Sequence, residues 1–454
     1  MEPPDEVLRV VRELAAAVRE RGGRAWLVGG GVRDALLGEP RKDFDLEVFG
    51  LEPAVLEELL RRRHAVADVG RSFGVLKLKD LPIDVSLPRR ETKIARGHRG
   101  FAVDADPHLD LRSAAERRDL SINAIYEDPL TGEIADPCGG SADLRARVLR
   151  HCSARFVEDP LRLLRVMQFA ARLGFDVAPE TVALCRGLDL AELPRERVER
   201  EWRKLLLQGR RPSLGLAFLR AADALRFFPE LATLIDCPQN PEWHPEGDVW
   251  VHTGHGLDHF ARERAGDASD WPIGLGLLCH DLGKPPTTVL EGGVWRSLGH
   301  SEAGEAPTRS FLARVTAESE LIETVVALVL HHLKPHELFT AKAGDGAVRR
   351  LATKVNLRWL CRLARHDHAG RPPLPDDGFP AGRWLLERAE AVAAADAAPR
   401  PLVLGRHLIE LGREPGPGFK PLLDRCYEAQ LDGAFCDLAG GLDFLRRLLA
   451  SDRR

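Results

Sequence analysis

The chain has 454 residues, 44% of them hydrophobic and 30% charged, with a formal net charge of −4. That length exceeds one ordinary core and calls for roughly two to four domains, and no apolar run is long enough to span a bilayer. The eight cysteines are scattered with no Cys-x-x-Cys pair, which excludes a disulfide framework and a cysteine zinc site. Together with an acidic, Pro-containing start unlike a signal peptide, they predict a cytoplasmic protein.

Leu8, Val11, Leu14 and Val18 recur at helical spacing, so residues 5–21 are predicted to form a first helix. Trp26 to Phe49 reads as strand, glycine turn, short helix and second strand, with Asp43-Phe44-Asp45 in that second strand. Side chains at i and i+2 of a strand share a face, so Asp43 and Asp45 offer paired carboxylates suited to Mg²⁺. Gly29, Gly30 and Gly31 allow close backbone approach and an N–H nest for an anion, and Arg33 follows as a phosphate ligand. A lone Asp-x-Asp or Gly-Gly is ordinarily a strand edge or a turn; the order and spacing of all these elements give the string its meaning.

Phe73 to Lys79 alternates as a strand, and Leu81-Pro82 turns into another from Ile83 to Leu87 that contains Asp84. Asp84 is equally a third carboxylate of the site and a plain edge-strand acid. Arg89 to Asp110 lacks periodicity and reads as a long mobile loop of functional length. From about Leu144 the pattern is almost wholly helical, apart from a short hairpin near Thr288–Trp295 turning at Glu291-Gly292-Gly293. Proline-rich breaks fall at 238–245, 372–380 and 399–401, and Ala391–Ala398 reads as the end of an Ala-rich helix. The basic groups at Arg61–Arg63, Arg89–Arg90, Arg117–Arg118 and Arg195–Arg200 lend modest support to RNA contact.

In RRDLSINAIYED, Asp119 and Asn123 share a helical face while Leu120, Ile122 and Ile125 serve the core. Further on, Asp159, Arg162 and Arg165 fall on one stripe of a helix opened by Pro160, with Leu163, Met167 and Ala170 facing inward. Such a stripe alone is an ordinary ion-pair ladder. As a site it has a sharp chemistry: cytosine and adenine each present an amino donor beside a ring-nitrogen acceptor, so one Asp–Arg pair reads both. Uracil and guanine reverse that pattern and leave a charge unpaired.

Taken together, Gly29 to Asp45, the run RRDxxxNA and the run EDxxR resemble the motifs of the class II tRNA nucleotidyltransferases and bacterial poly(A) polymerases. The resemblance implies Mg²⁺ on Asp43 and Asp45, and nucleotide contacts from Gly29, Gly30, Arg33, Arg118, Asp119, Asn123, Asp159, Arg162 and Arg165. Within that set, Gly30 and Arg33 would hold the triphosphate, Arg118 and Asp119 ribose and phosphate, and Asp159 with Arg162 the base. Glu196-Arg197-Val198 to Glu201 resembles the neck-helix element that supports the site, and Gln168 stands where many relatives carry Arg. The implied reaction is in-line attack of an RNA 3′-hydroxyl on the α-phosphate of CTP or ATP, with tRNA 3′ ends as substrate.

In the second half His280-Asp281 closes the apolar run Ile273–Cys279, with His252 upstream and His300, His331 and Asp367 downstream. Imidazoles and carboxylates spread over several helices can converge on a divalent metal. This pattern resembles the HD phosphohydrolase superfamily, with His252, His280, Asp281 and Asp367 matching its ligand core and His300 and His331 completing a two-metal site. His244, His255, His259 and His332 read as core or surface residues, and Lys284 as a phosphate contact. The metal is Mg²⁺, Mn²⁺, Ni²⁺ or Co²⁺, and the implied activity is hydrolysis of 2′,3′-cyclic or 2′-phosphate ends.

The fold class predicted is an α/β nucleotidyltransferase head with a small mixed sheet, then an all-α neck, an HD-type helical domain and a helical tail. The expected boundaries are 1–143, 144–225, 226–372 and 373–454. The leading reading is a CCA-adding enzyme with no membrane and no protein partner. Beside it stand a poly(A) polymerase or a partial CC- or A-adding enzyme, an RNA-binding phosphohydrolase with an inactive head, and a non-enzymatic tRNA scaffold. The full-length 89–110 loop favours completion with A.

Overall fold

The computed structural model describes residues 4–67, 75–93 and 101–451, with the side chains of 90–104 left out of the description. Two compact units divide the chain, Met1–Phe227 and Phe228–Arg454.

The first unit opens with helix Pro4–Glu20, whose Val7, Val11, Leu14 and Val18 are buried, as their spacing predicts. Its strands are β1 (Arg24–Val28), β2 (Phe44–Phe49), β3 (Val66–Ala67), β4 (Val75–Leu78), β5 (Ile83–Ser86), β6 (Arg89–Lys93), β7 (Phe101–Ala105), β8 (Tyr126–Glu127) and β9 (Ile134–Ala135). Seven of them form one sheet in the order β3-β4-β5-β2-β1-β8-β9. Only β2 and β5 run parallel in it, with Asp45 opposite Asp84; β1 and β2 are antiparallel, with Val28 opposite Asp45. The sheet is therefore mixed, and its central strands bring the glycine turn, the acid pair and Asp84 to one place.

The expected unstructured loop at 89–110 is corrected in part. Arg89–Lys93 and Phe101–Ala105 pair as an antiparallel hairpin, and Leu111–Glu116 follows as a helix capped by Asp110. Arg-Arg-Glu-Thr-Lys carries no apolar alternation, so periodicity could not reveal a strand whose hold is backbone hydrogen bonding. The start of the predicted strand at Phe73, and residues 94–100 of the loop, lie outside the described residues.

The rest of this unit is helical except for a short parallel strand pair, Val148–Leu149 with Asp176–Val177, which the helical reading from Leu144 onward did not foresee. Leu161–Leu173 packs against Arg195–Gln208 and Pro212–Ala221, with Leu163, Leu164, Val166 and Met167 sealed from solvent. Gly215 lets the helices approach closely: a Cβ there would sit 2.5 Å from Leu205 Cδ1 and 2.7 Å from the Met167 carbonyl oxygen.

In the second unit, Val249–Glu263, Asp270–Cys279, Ser319–His331 and Leu357–Ala369 pack around a common core. The predicted hairpin is present as Val289–Glu291 and Val294–Arg296, turning through Gly292 (φ +58°) and Gly293 (φ +79°), the left-handed pair that a two-residue hairpin requires. Pro380–Ala391 packs on Leu357–Ala369 and Lys334–Thr340. It ends at Ala391 rather than running to Ala398, because Ala393 turns left-handed (φ +51°) and its neighbour's N–H closes back on Ala389 at 2.7 Å. No helix among the described residues is long and apolar enough to cross a membrane.

Candidate active site and metal cluster

In the head, the chain leaves β1 at Gly29 (φ +85°), which precedes the short helix Gly30–Leu36. A Cβ on Gly29 would stand 2.9 Å from Asp45 Oδ2, and one on Gly31 would collide with the Asp43 carbonyl oxygen. Glycine is needed at both positions because the turn is pressed onto the acid pair. Asp43 immediately precedes β2 and Asp45 lies within it. Burial raises the Asp45 pKa, and the negative charges of Asp84 and Asp43 push it up further against the pull of Arg118 and Lys77. Lys77 Nζ meets Asp84 Oδ2 at 2.6 Å. Three neighbouring carboxylates, Asp45 and Asp84 half-buried and Asp43 exposed, form an oxygen donor set that fits a hard divalent cation.

Opposite them lies a group of arginines. Arg33, 4% exposed, donates to Asn123 Oδ1 at 2.7 Å and to Asp34 Oδ1. Asn123 in turn donates to Asp119 Oδ1 at 3.1 Å, and Arg165 Nε to Asp119 Oδ2 at 2.6 Å. The predicted α-helical face for Asp119 and Asn123 is replaced by a short 3₁₀ turn, Ser121–Asn123, which still lets the two side chains meet. Arg33, Arg165 and Arg172 surround the Phe169 ring at 5.3, 5.5 and 5.6 Å from its centroid. Burial, followed by repulsion from Arg33, lowers the Arg172 pKa against the pull of Asp34 and Glu201. Gln168 accepts from Arg172 at 3.1 Å, so a guanidinium one turn further on stands close to the Gln168 site.

The predicted stripe divides its partners. Arg162 donates to the carbonyls of Arg155 and Arg117, and Asp159 accepts from Arg197 at 2.9 Å. Two residues were missed by the sequence reading. Glu47, fully buried, accepts from Arg117, from Arg118 at 3.0 Å and from the Tyr126 hydroxyl at 3.1 Å. Burial opposes its charge, but Arg118 and Arg117 hold its pKa below the ordinary value. Its signal was present, since Glu47 continues the Asp43, Asp45 alternation along β2.

In the second unit His252, His280, Asp281, His300 and Asp367 come together. His252 Nε2 lies 3.0 Å from Asp367 Oδ1, His280 Nε2 3.2 Å from Asp281 Oδ2, and His300 Nε2 3.6 Å from Asp281 Oδ1. The sixth member is His332 rather than His331: His332 Nε2 is 3.2 Å from His300 Nε2 and groups with Asp281 and His300. Successive helical residues point about 100° apart, and the half-buried His331 has no side-chain bond into the cluster among the described residues.

The tautomers follow from the partners. The Nδ1 atoms of His280, His300 and His332 face the carbonyls of Leu277 (2.7 Å), Ser297 (2.8 Å) and Val329 (2.6 Å). His252 Nδ1 faces Glu246 Oε1 at 2.8 Å and the Gly370 carbonyl at 3.2 Å. All these partners only accept, so each Nδ1 carries the proton and each Nε2 points a lone pair inward. Glu246, the other missed residue, orients His252 in this way. His280 Nε2 is buried without a hydrogen-bond partner, and the buried Asp281 carboxylate faces Lys284 Nζ at 2.8 Å and His280 Nε2 at 3.2 Å. Four inward lone pairs beside two carboxylates fit a divalent cation.

Residues 25–150 match the poly A polymerase head domain family. The chain is 38% identical to a multifunctional CCA protein of Laribacter hongkongensis, over 83% of this chain and 93% of that one. A multifunctional CCA protein of Xanthomonas campestris pv. campestris is also 38% identical, over 82% and 91%. In fold, the chain is similar to the Bacillus stearothermophilus CCA-adding enzyme solved with CTP, with a TM-score of 0.64, 23% identity and coverage of 100% and 99%. The chain belongs to the multifunctional CCA protein family, with a nucleotidyltransferase head of the poly A polymerase type.

Proposed function

We propose that this protein adds C, C and A from CTP and ATP to tRNA 3′ ends in its head, and hydrolyses phosphoesters at the HD cluster of its second unit. The observation that carries the first part is the turn at Gly29 pressed onto Asp45, opposite the Arg33–Asn123–Asp119–Arg165 chain. Asp43 and Asp45, with Asp84 beside them, would hold Mg²⁺, which when bound stabilises charge on the attacking and leaving oxygens. The backbone of Gly29 and Gly30 together with Arg33 seats the triphosphate. Arg118, held by Glu47, and Arg165, held by Asp119, supply further cationic contacts. Asp159 and Arg162 read the base edge, with Arg197 as the group that Asp159 exchanges for a nucleobase amine.

At the HD cluster, His252, His280, Asp281, His300, His332 and Asp367 would hold the metal, which when bound lowers the pKa of water to make a nucleophile near neutral pH. Imidazole-rich ligation favours Ni²⁺, Co²⁺ or Mn²⁺ over Mg²⁺. Lys284, whose Nζ is 2.8 Å from Asp281 Oδ2, stands ready for the phosphate. Cyclic 2′,3′-phosphate and 2′-phosphate ends are the substrates that would join the two activities in end repair. Eight free cysteines support a reducing cytoplasm.

The test separates the sites. Asp45→Ala should abolish nucleotide addition and retain hydrolysis of a 2′,3′-cyclic phosphate, and Asp281→Ala should do the opposite. Addition by Asp45→Ala protein would overturn the head assignment, and hydrolysis by Asp281→Ala protein the cluster assignment.

A further inference from the structure

His259 and Glu263 lie one turn apart on helix Val249–Glu263 and face His366 on helix Leu357–Ala369. One ligand atom from each of the three falls within 4.8 Å of the others. His259 Nδ1 is 3.0 Å from His366 Nδ1, and His366 Nδ1 is 4.0 Å from Glu263 Oε2. Two nitrogens bound to one tetrahedral Zn²⁺ at about 2.05 Å are separated by about 3.3 Å, so the imidazoles already stand close to the spacing of a shared ion.

The remaining ring atoms agree with that arrangement. His259 Nε2 lies 3.4 Å from Glu263 Oε1 and 3.8 Å from Asp376 Oδ2, the carboxylate placement that orients a ligating imidazole through its far N–H. His366 Nε2 is buried with no hydrogen-bond partner, so nothing on that side fixes the ring. Both rings are nearly sealed, at 8% and 3% side-chain exposure, while Glu263 is 46% exposed and opens the site to solvent. Arg365 holds Asp376 through two bonds of 2.7 and 2.6 Å, which keeps Asp376 as an outer partner; the same guanidinium reaches Glu263 Oε1 at only 3.5 Å, while Glu263 Oε2 is the oxygen turned toward His366.

We propose that His259, Glu263 and His366 form a second metal centre, separate from the HD cluster, that takes Zn²⁺. Its place gives it a role. His259 lies two helical turns from His252, and His366 is the neighbour of Asp367, so the ion clamps the two helices that carry HD ligands. These helices already approach closely, since a Cβ on Gly370 would sit 2.9 Å from Gly256 N. The inference does not depend on the reactions assigned above.

The test uses the full chain, stripped by chelator, loaded with Zn²⁺, dialysed and assayed for bound metal by mass spectrometry. An Asp281→Ala, His332→Ala background disables the HD cluster. In that background, adding His259→Gln should lower the tightly held Zn²⁺ by one per chain. Co²⁺ in the same background should give the intense visible absorption of a four-coordinate site, lost with His259→Gln. Glu263→Gln, at a solvent-exposed side chain, should weaken Zn²⁺ binding at least tenfold with an unchanged circular dichroism spectrum. Equal Zn²⁺ content with and without His259→Gln, or unaltered affinity in Glu263→Gln, would mean that the two imidazoles merely share a hydrogen bond, and would overturn the proposal.

Discussion

Asp119 offers the most quantitative check on the head. Its carboxylate is 8% exposed; burial raises its pKa, but Arg165, Asn123 and the Leu120 N–H outweigh burial and bring it from 3.8 to about 2. The folded-state value is thus below the unfolded one. The resulting stability is fully present above the unfolded pKa and is lost as pH falls from about 4 towards 2. The fall from 3.8 to about 2 corresponds to about 2 kcal/mol. Asp119→Asn keeps the shape and removes the titration. We expect it to be less stable than the parent by about 2 kcal/mol at pH 7, with the gap narrowing to about 1 kcal/mol at pH 2.5. Urea unfolding read by hydrogen exchange in peptides from Leu161–Leu173 reports the first unit alone. A gap that stays constant from pH 7 to pH 2.5 would refute the assigned role of Arg165 and Asn123.

Other changes have equally definite outcomes. Glu47→Gln leaves Arg117 and Arg118 without their buried counter-charge, which should cost about 3 kcal/mol in the same unfolding experiment and raise KM for CTP; unaltered stability and KM would remove Glu47 as the residue that positions Arg118. Glu246→Gln should weaken metal binding at the HD cluster by about 10- to 100-fold, read by calorimetric titration with Mn²⁺, and an unchanged affinity would show that His252 is oriented without it. Gly31→Ala places a methyl against the Asp43 carbonyl and should abolish nucleotide addition while the second unit keeps its melting temperature; full activity would show that the turn does not set the acid pair.

Much of this was legible in the sequence because the informative residues lie close along the chain. Gly29 to Asp45 spans one strand-turn-helix-strand unit, and the i, i+2 alternation of a strand places its carboxylates without knowledge of the tertiary fold. Glu47 extended the same alternation but was hidden by its apolar neighbours, which made the strand look like plain core. Partners brought together over long distances were beyond reach: Asp159 finds Arg197 rather than Arg162, and Arg162 turns to backbone carbonyls. His331 and His332 show the finer limit. Adjacent histidines at a helix end differ by about 100° in direction, and only the helix terminus at His331 decides which of them faces the cluster. The hairpin of Arg89–Lys93 and Phe101–Ala105 escaped because its first strand, Arg-Arg-Glu-Thr-Lys, has no apolar period and its second is a short apolar run without alternation.

The most direct measurement is extension of a tRNA transcript ending at its discriminator base, with Mg²⁺ and with CTP and ATP supplied separately and together. Addition of two C residues with CTP alone, and of a single terminal A only when both nucleotides are present, is the predicted result. A long A ladder, arrest after CC in the presence of ATP, or no extension at all would contradict it.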